Sequence, residues 1–305
     1  MRAVAFDDFG GEPTLTDLPV PQAGPGEVLV KVVSSSVNGF DLGVIGGYLK
    51  GIYEYEFPVV VGKDFAGTVA ATGPGVTAFA PGDEVFGVVM RPTLGQGGFA
   101  EYVVVPEGYG IARLPEGLDH SRAGALGLAG TAALNAVDAV SLEEGETVLV
   151  SGATGGVGAY AIQLAAARGA TVIATARPGE EAAFVLGLGA AHAVDHADLA
   201  AQVRALAPNG VHAALHLAGD GAEVAGLLVE GGRFATTIHF TPETPGVKAT
   251  AIMADPSEAT LSKLAAHVTG GTLRVPVARV YPLAESGRAI ADFAAGTLGK
   301  LAVSV

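Results

Sequence analysis

The sequence predicts an α/β fold in which a doubly wound parallel sheet is inserted into a β-rich domain. From about residue 123 to residue 264, short apolar segments alternate with longer alanine-rich helical patterns. The residues on either side are rich in β-branched side chains bounded by Gly and Pro turns. The alternation is typical of βαβ units. We therefore expect residues 1–122 and 265–305 to form one domain and residues 123–264 to form a second.

Five candidate strands of the inserted domain are separated by helical patterns. The strands are TVLVS (147–151), TVIATA (171–176), AHAVD (191–195), VHAALHLA (211–218) and GRFATTI (232–238). The helices are GVGAYAIQLAAARG (156–169), GEEAAFVLGLG (179–189), DLAAQVRALA (198–207) and AEVAGLLVE (222–230). Helical crossovers of this length predict that the strands run parallel.

The outer domain is predicted from apolar runs between turns. They are EVLVKVVSSSV (27–37), DFAGTVAATG (64–73) and FAEYVVVP (99–106) before the inserted domain, and VPVARVYPL (275–283) and LAVSV (301–305) after it. The helical pattern PSEATLSKLAAHVTGG (256–271) separates the two groups. Both ends of the chain are therefore expected in the outer domain.

Composition excludes several classes of function. The 305 residues include 17 basic and 31 acidic side chains, a net charge of −14, so we expect no nucleic-acid partner. The chain has no cysteine, which excludes disulfides and thiolate metal sites. No uncharged run reaches the length that crosses a bilayer and the first residues do not form a signal peptide, so a cytoplasmic protein with no membrane partner is expected.

The segment SGATGGVG (151–158) predicts a dinucleotide site. Gly152, Gly155 and Gly158 follow a predicted strand and open a predicted helix, where backbone amides and the helix dipole favour a pyrophosphate. The spacing is G-x-x-G-x-x-G, which differs from the strict dinucleotide fingerprint. A purely structural glycine turn is the alternative, and the position in the first βα unit favours the nucleotide.

The end of the next strand favours NADPH over NADH. The segment ATARPGE places Arg177 there and has no acid before Glu180. An acid at this position usually binds the ribose 2′-hydroxyl of NAD, whereas an Arg suits a 2′-phosphate. A solvated surface Arg is the alternative.

Several motifs in order resemble the zinc-independent quinone oxidoreductase branch of the medium-chain dehydrogenase/reductase superfamily. They are PGEVLVKV (25–32), VNGFD (37–41), FPVVVGKDFAGTV (57–69), PGDEVFG (81–87), GGFAEYVVVP (97–106), GTAALNAV (130–137), SGATGGVGAYAIQLA (151–165) and the terminal GKLAVSV. The resemblance implies a GroES-like barrel domain interrupted by a Rossmann domain, and a homodimer formed through the Rossmann domain. It also implies NADPH-dependent reduction of a quinone or an α,β-unsaturated carbonyl.

The resemblance also implies which residues bind the cofactor. These are Asn38, Thr131, Gly152, Thr154, Gly155, Gly156, Val157, Gly158, Arg177, Leu217, Ala218, Gly219 and His239. Zinc-dependent relatives carry a Cys ligand and a His in a G-H-E motif, whereas this chain places Lys63 where that His would fall. Lys is a poor zinc ligand at neutral pH, so no metal is expected. Hydrogen bonds would then stabilise the enolate that forms after hydride addition.

Four residues are candidates for catalysis. On the resemblance to enoyl reductase domains of polyketide synthases, Asn38 and Asp41 match and Tyr48 falls one residue from the family spacing. Tyr48 would donate a proton or hydrogen bond to the enolate, or it simply packs its ring in a loop. Lys63 would stabilise an anionic oxygen, or it pairs with Asp64 or Asp41. Solvent as proton source is a further alternative.

Two other functions stay open on the sequence. One keeps the fold and cofactor and assigns enoyl reduction, or another tailoring step, in polyketide-type biosynthesis. The other is an NADPH-binding sensor without catalysis. The presence of Asn38, Asp41 and Tyr48 favours an enzyme.

Overall fold

The computed structural model describes all 305 residues, which form two compact units. The first unit comprises residues 1–128, 256–270 and 277–305, and the second comprises residues 129–255 and 271–276. The second unit is therefore inserted in the sequence of the first. After residue 270 the chain returns once to the second unit, at residues 271–276. No sequence signal marks that return.

Ten strands and two short helices precede residue 127. They are β1 (Arg2–Phe6), β2 (Thr14–Asp17), β3 (Glu27–Ser36), α1 (Gly39–Ile45), β4 (Glu54–Tyr55), β5 (Val59–Val60), β6 (Asp64–Thr72), β7 (Glu84–Val88), β8 (Thr93–Leu94), β9 (Tyr102–Pro106), β10 (Ile111–Arg113) and α2 (His120–Ala123). Strands β3, β6, β7 and β10 are antiparallel neighbours in one sheet, and β9 also pairs with β3. Alternate residues of the first part of β3 are buried, which is the period-two pattern of a strand with one face on a core.

The second unit contains six strands and five α-helices. They are α3 (Gly127–Ala139), β11 (Thr147–Ser151), α4 (Gly156–Ala166), β12 (Thr171–Thr175), α5 (Glu180–Gly187), β13 (His192–Val194), α6 (Leu199–Leu206), β14 (Val211–His216), α7 (Gly221–Ala225), β15 (Leu228–Thr236) and β16 (Lys248–Ala251). The first two residues of α3 are counted with the first unit.

All six strands are parallel, in the order β13-β12-β11-β14-β15-β16. This is the strand order of a doubly wound dinucleotide-binding sheet, whose switch point lies between β11 and β14. The central strands are buried on both faces, and their core includes Leu149, Ile173, Ala214 and Phe234. The predicted fold class is confirmed.

The chain ends in the first unit. Its last elements are α8 (Glu258–Thr269), β17 (Val277–Pro282), α9 (Ser286–Ala294) and β18 (Lys300–Ser304). Strand β18 pairs antiparallel with the end of β3, where Val303 lies opposite Ser35. This pairing brings Lys300, at the start of β18, to the residues that follow β3. No helix of the structure has the length and apolar character needed to cross a membrane.

Candidate functional site

The glycine turn after β11 has no room for side chains at two positions. Gly152 has φ +79°, and a Cβ there would lie 2.9 Å from the Cβ of Ala218. A Cβ at Gly158 would lie 2.6 Å from the Cα of Ala153. Both glycines are therefore required by the close approach of the strand, the turn and the helix.

The space in front of α4 is open. Gly155 is the N-cap of this 11-residue helix, and no side chain caps it. A Cβ at Gly155 would meet only the carbonyl oxygen of Gly152, at 3.7 Å. The first amides of an α-helix lack internal partners and attract anions. The turn therefore fits the pyrophosphate of a dinucleotide, and the roles expected for Thr154, Gly156 and Val157 stay predictions.

A second predicted segment lies against this turn. The hydroxyl of Ser151 donates to the carbonyl oxygen of Ala218, and Leu217 N donates to the carbonyl oxygen of Ser151 at 3.0 Å. The segment Leu217–Gly219 thus follows β14 directly beside Gly152. Contact of Leu217, Ala218 and Gly219 with a cofactor stays a prediction. The structure also shows His216, which the sequence did not assign to the site, bonded to Thr236 Oγ1 and to the carbonyl oxygen of Gly219, both at 3.1 Å.

Arg177 is exposed just after the end of β12, and two of its three guanidinium nitrogens donate to Glu181. Its backbone amide donates to Oε2 of Glu181 at 2.8 Å, and its Nε donates to Oε1 at 2.8 Å. Nη2 also donates to Oε1. The guanidinium therefore forms an ion pair with a residue two positions into α5.

Two further predicted cofactor residues differ in their surroundings. Thr131 is fully buried in α3, and its hydroxyl has no hydrogen-bond partner. A buried hydroxyl without a partner is costly, so this group is available to a ligand. His239 is exposed and has φ +54°, which is uncommon for a residue with a side chain. Their contact with a nicotinamide stays a prediction.

In the first unit, a buried carboxylate organises the residues around the end of β3. Asp64 is completely buried, and its Oδ2 accepts hydrogen bonds from Ser36 Oγ at 2.5 Å and from Asn38 Nδ2 at 2.8 Å. Its Oδ1 accepts the amide of Leu128 at 2.6 Å. Three donors on one carboxylate satisfy a charge that would otherwise be very unfavourable inside the protein.

Lys300 supplies the positive charge of this cluster. Its Nζ lies 3.6 Å from Asp64 Oδ2 and donates to Asn38 Oδ1 at 2.6 Å and to the carbonyl oxygen of Val37 at 3.0 Å. Burial lowers the pKa of Lys300, and the nearby Asp64 and Asp41 oppose that effect. On the sequence, Lys300 was noted only within the terminal motif GKLAVSV, and no role was predicted for it.

The side-chain amide of Asn38 is held from every side. Its Nδ2 donates to Asp64 and to the carbonyl oxygen of Ser36 at 3.2 Å, and its Oδ1 accepts from Lys300. The side chain is 6% exposed. Its own backbone amide donates to Asp41 Oδ2 at 2.8 Å. These contacts favour a role in positioning the start of α1, and direct contact with a nicotinamide stays a prediction.

Burial also shifts the pKa values of Asp41 and Lys63. Burial raises the pKa of Asp41 to about 7, and the hydrogen bond from Asn38 opposes this. Burial lowers the pKa of Lys63 to about 8, although Asp41 and Asp64 act in the other direction. The Lys63 ammonium donates to the carbonyl oxygen of Val89 and lies 5.1 Å from the centroid of the Phe40 ring.

These two groups line one small cavity. Its volume is about 10 Å³, which is the size that one water molecule needs. Asp41, Lys63 and Gln96 are its polar walls, and the other walls are mainly valines. Lys63 forms no direct ion pair with Asp41 or Asp64, the alternative considered on sequence. Two groups of similar pKa therefore face a space in which a single water could connect them.

Tyr48 lies away from these contacts. It follows α1 at a tight turn, where its backbone amide donates to the carbonyl oxygen of Gly43 at 3.0 Å, and its side chain is 81% exposed. A catalytic role for Tyr48 stays a prediction.

Two family models match the chain in sequence order. One is described as the alcohol dehydrogenase GroES-like domain and matches residues 24–116; the other is described as zinc-binding dehydrogenase and matches residues 156–237. Together they match more than half of the chain. The first match covers β3 to β10 of the first unit, and the second covers α4 to β15 of the second unit.

Curated relatives match over part of their length. Human quinone oxidoreductase is 35% identical over 206 residues, which are 65% of this chain and 60% of that protein. A mycocerosic acid synthase-like polyketide synthase of Mycobacterium tuberculosis is 34% identical over 92% of this chain and 14% of its own length. The chain spans 55% to 61% of the length of the quinone oxidoreductases that it matches.

Solved structures match over the whole chain. The quinone oxidoreductase of Coxiella burnetii has a TM-score of 0.90 and 29% identity, covering 100% of this chain and 99% of that one. A mycobacterial protein solved in complex with NADPH has a TM-score of 0.87 and 28% identity over the full length of both chains. The chain therefore belongs to the medium-chain dehydrogenase/reductase superfamily, in its quinone oxidoreductase branch.

Proposed function

We propose that this protein is an NADPH-dependent oxidoreductase that reduces a quinone or an α,β-unsaturated carbonyl without zinc. The observation that carries the proposal is the pair of Asp41 and Lys63 around a water-sized cavity. With pKa values of about 7 and about 8, these groups can exchange a proton near neutral pH. The names of the quinone oxidoreductase relatives support the substrate class.

A bound reduced nicotinamide would supply a hydride to the β-carbon of the substrate. The substrate oxygen would gain negative charge, and the charged form of Lys63 would stabilise it and then supply one proton. Lys63 would regain that proton from Asp41 or from solvent. Hydride and proton together reduce one carbon–carbon double bond or convert one quinone to its hydroquinone.

The side chains of the barrel site do not fit a zinc ion. No group of three or more His, Asp or Glu side chains is arranged to hold a metal, and the chain has no cysteine. Asp64 is already saturated by protein donors, and two ammonium groups lie close by. Zinc prefers thiolate, imidazole or free carboxylate ligands. The proposed reaction therefore uses protein hydrogen bonds in place of a Lewis acid.

The second unit would bind the nucleotide. The amides at Gly155–Gly158 would hold the pyrophosphate, and Leu217–Gly219 would pass its ribose. Thr131 and His239 would contact the nicotinamide end. Arg177 would bind the 2′-phosphate, which supports NADPH over NADH. The NADPH complex of a structural neighbour is consistent with this choice.

A second candidate function is enoyl reduction in polyketide-type biosynthesis. The alignment with a segment of a polyketide synthase covers 92% of this chain, more than any of the quinone oxidoreductases described above as curated relatives. The fold, the cofactor and the chemistry at the substrate carbon would be the same. Only the substrate, an enoyl thioester in place of a quinone, would differ.

The test is nicotinamide oxidation by the purified protein with quinones, enones, an enoyl thioester and simple aldehydes. We expect turnover of a quinone or an enone, unaffected by a metal chelator. Lys63→Met should lower the rate, whereas Lys50→Met, which removes an exposed-loop ammonium placed over the Phe9 ring, is the matched control. Loss of activity on chelation, with recovery on adding zinc, would contradict the zinc-free proposal. NADPH binding without turnover of any substrate would favour the sensor.

A further inference from the structure

The Glu181 carboxylate accepts hydrogen bonds from Arg177. Its two carboxylate oxygens accept the Arg177 backbone amide and both Nε and Nη2 of the guanidinium. Three donors of one residue therefore converge on a single anionic group. That arrangement is the one by which proteins bind a carboxylate or a phosphate.

The carboxylate is also fixed in place and charged. The Glu181 side chain is 21% exposed, whereas that of Arg177 is 68% exposed. The hydrogen bond from Arg177 holds the pKa of Glu181 below its usual range. Glu181 also lies in the first turn of α5, where the helix dipole favours a negative charge. Near neutral pH the backbone amide, Nε and Nη2 of Arg177 are therefore bonded to an internal anion.

We propose that Glu181 is a specificity-determining residue that competes with the 2′-phosphate of NADPH for Arg177. The inference rests on the proposed use of a nicotinamide dinucleotide. A 2′-phosphate that uses the same donors must displace the Glu181 carboxylate. The displaced carboxylate remains in the first turn of α5, near Arg177, and would repel the phosphate.

NADH makes no such demand. A ribose hydroxyl can donate a hydrogen bond to a carboxylate, so the 2′-hydroxyl of NADH can bind beside an intact Arg177–Glu181 pair. The pair thus reduces the preference that Arg177 alone would give, and the site accepts both nucleotides. If Glu181 instead held Arg177 in the conformation that receives the phosphate, its removal would weaken NADPH binding. The two roles predict opposite signs.

The sign is measured with Glu181→Gln and a matched control, Glu180→Gln. Both substitutions remove one negative charge from the same helical turn, but Glu180 is exposed and does not contact Arg177. Dissociation constants of NADPH, NADH and adenosine 2′,5′-bisphosphate are measured by calorimetry on the full chain. The bisphosphate probes the phosphate site independently of any reductase chemistry.

We expect Glu181→Gln to bind NADPH and the bisphosphate about three- to tenfold more tightly than the wild type. The substitution removes the exposed Arg177–Glu181 ion pair and the repulsion between Glu181 and the phosphate. Binding of NADH should change less than about twofold. Glu180→Gln should leave the ratio of the NADPH and NADH dissociation constants unchanged. Salt should weaken the gain, because the competing charges are exposed.

The contrary results separate two failures. Unchanged or weaker NADPH binding by Glu181→Gln, in a protein whose wild type binds NADPH, would overturn the competition and leave the proposed function standing. An equal gain in Glu180→Gln would also overturn it, since general charge removal would then be the cause. A wild-type protein that binds no nucleotide would overturn both proposals.

Discussion

Four charged side chains share the buried region where β3, β6 and β18 meet. Asp64 and Lys300 are close enough for an ion pair, whereas Asp41 and Lys63 act on each other without direct contact. The two carboxylates raise the pKa of the lysines, and the lysines lower the pKa of Asp41, in each case against the larger effect of burial. The protonation of one group therefore alters the others, as coupled titrations require.

Because the pKa of Asp41 is raised, we expect this residue to lower the free energy of unfolding as the pH rises. The unfolded carboxyl titrates near its ordinary value of 3.8, whereas the folded one titrates at about 7. Between these values the folded state holds more protons, so its contribution to the free energy of unfolding falls, by up to about 1.4 kcal/mol per pH unit. The contribution is fully present below pH 3.8 and is lost as the pH rises through about 7.

Asp41→Asn should therefore gain stability relative to the wild type as the pH rises from 5 to 7.5. The amide oxygen can still accept the Asn38 backbone hydrogen bond, so the geometry of the α1 turn is retained. Urea unfolding at both pH values measures the difference. Lys63 and Lys300 interact with the Asp41 carboxyl, and Asp64 faces it from β6. Lys63→Met is therefore measured in parallel. The same stability difference at both pH values would show that Asp41 titrates normally.

Sequence reasoning assigned roles to three residues of this region and none to Asp64 or Lys300. Asn38, Asp41 and Lys63 were visible because they fall in short motifs with a family resemblance. Lys300 is separated from its partner Asn38 by 262 positions, so only the pairing of β18 with β3 brings them together. Residues that meet through sheet pairing leave no local signal. The exposure of Tyr48 was equally invisible in the sequence.

The glycines of the turn after β11 differ in whether packing requires them. Gly158 is required by packing, because its Cβ would collide with the backbone of Ala153. Gly155 is not, because the space beside it is open apart from one carbonyl oxygen. The same motif therefore contains two glycines that the fold needs, Gly152 and Gly158, and one that it does not need, Gly155.

Gly158→Ala and Gly155→Ala should consequently have different effects. We expect Gly158→Ala to lower the free energy of unfolding by about 1–3 kcal/mol, the usual cost of overpacking. Gly155→Ala should leave stability within about 1 kcal/mol, since φ is −72° there and other residues can adopt it. It should nevertheless weaken NADPH binding, because the methyl group fills the pyrophosphate space. Thermal unfolding and nucleotide titration measure both. Unchanged NADPH binding by Gly155→Ala would argue against the proposed pyrophosphate position.

The elements of the parallel sheet were predictable, with one exception. Strands β11 to β15 have apolar residues that are buried between helices, so their sequences differ clearly from the helical patterns around them. Strand β16, Lys248–Ala251, has four exposed residues, and its only apolar side chains are two alanines. It is specified by hydrogen bonding to β15 rather than by burial, which explains why no sequence pattern indicated it.

At the scale of the whole molecule, β16 leaves an open edge on the six-stranded sheet. An exposed strand edge presents unpaired amide and carbonyl groups that favour pairing with another strand. We propose that a second copy of this chain pairs there, which is the homodimer that the family resemblance implied. The other free edge of the sheet, β13, is only three residues long and offers fewer hydrogen bonds.

Ala249→Asp should convert that dimer to a monomer. When a strand pairs with its own copy, each added carboxylate lies near its equivalent, and like charges across a strand pair are destabilising. We expect the wild-type protein to sediment as a dimer. The variant should sediment as a monomer, with the mass of one 30.3 kDa chain. Thr14→Asp places the same charge on β2, an edge strand of the first unit, and should remain dimeric. A monomeric wild type would refute the dimer, and a dimeric Ala249→Asp would place its interface away from β16.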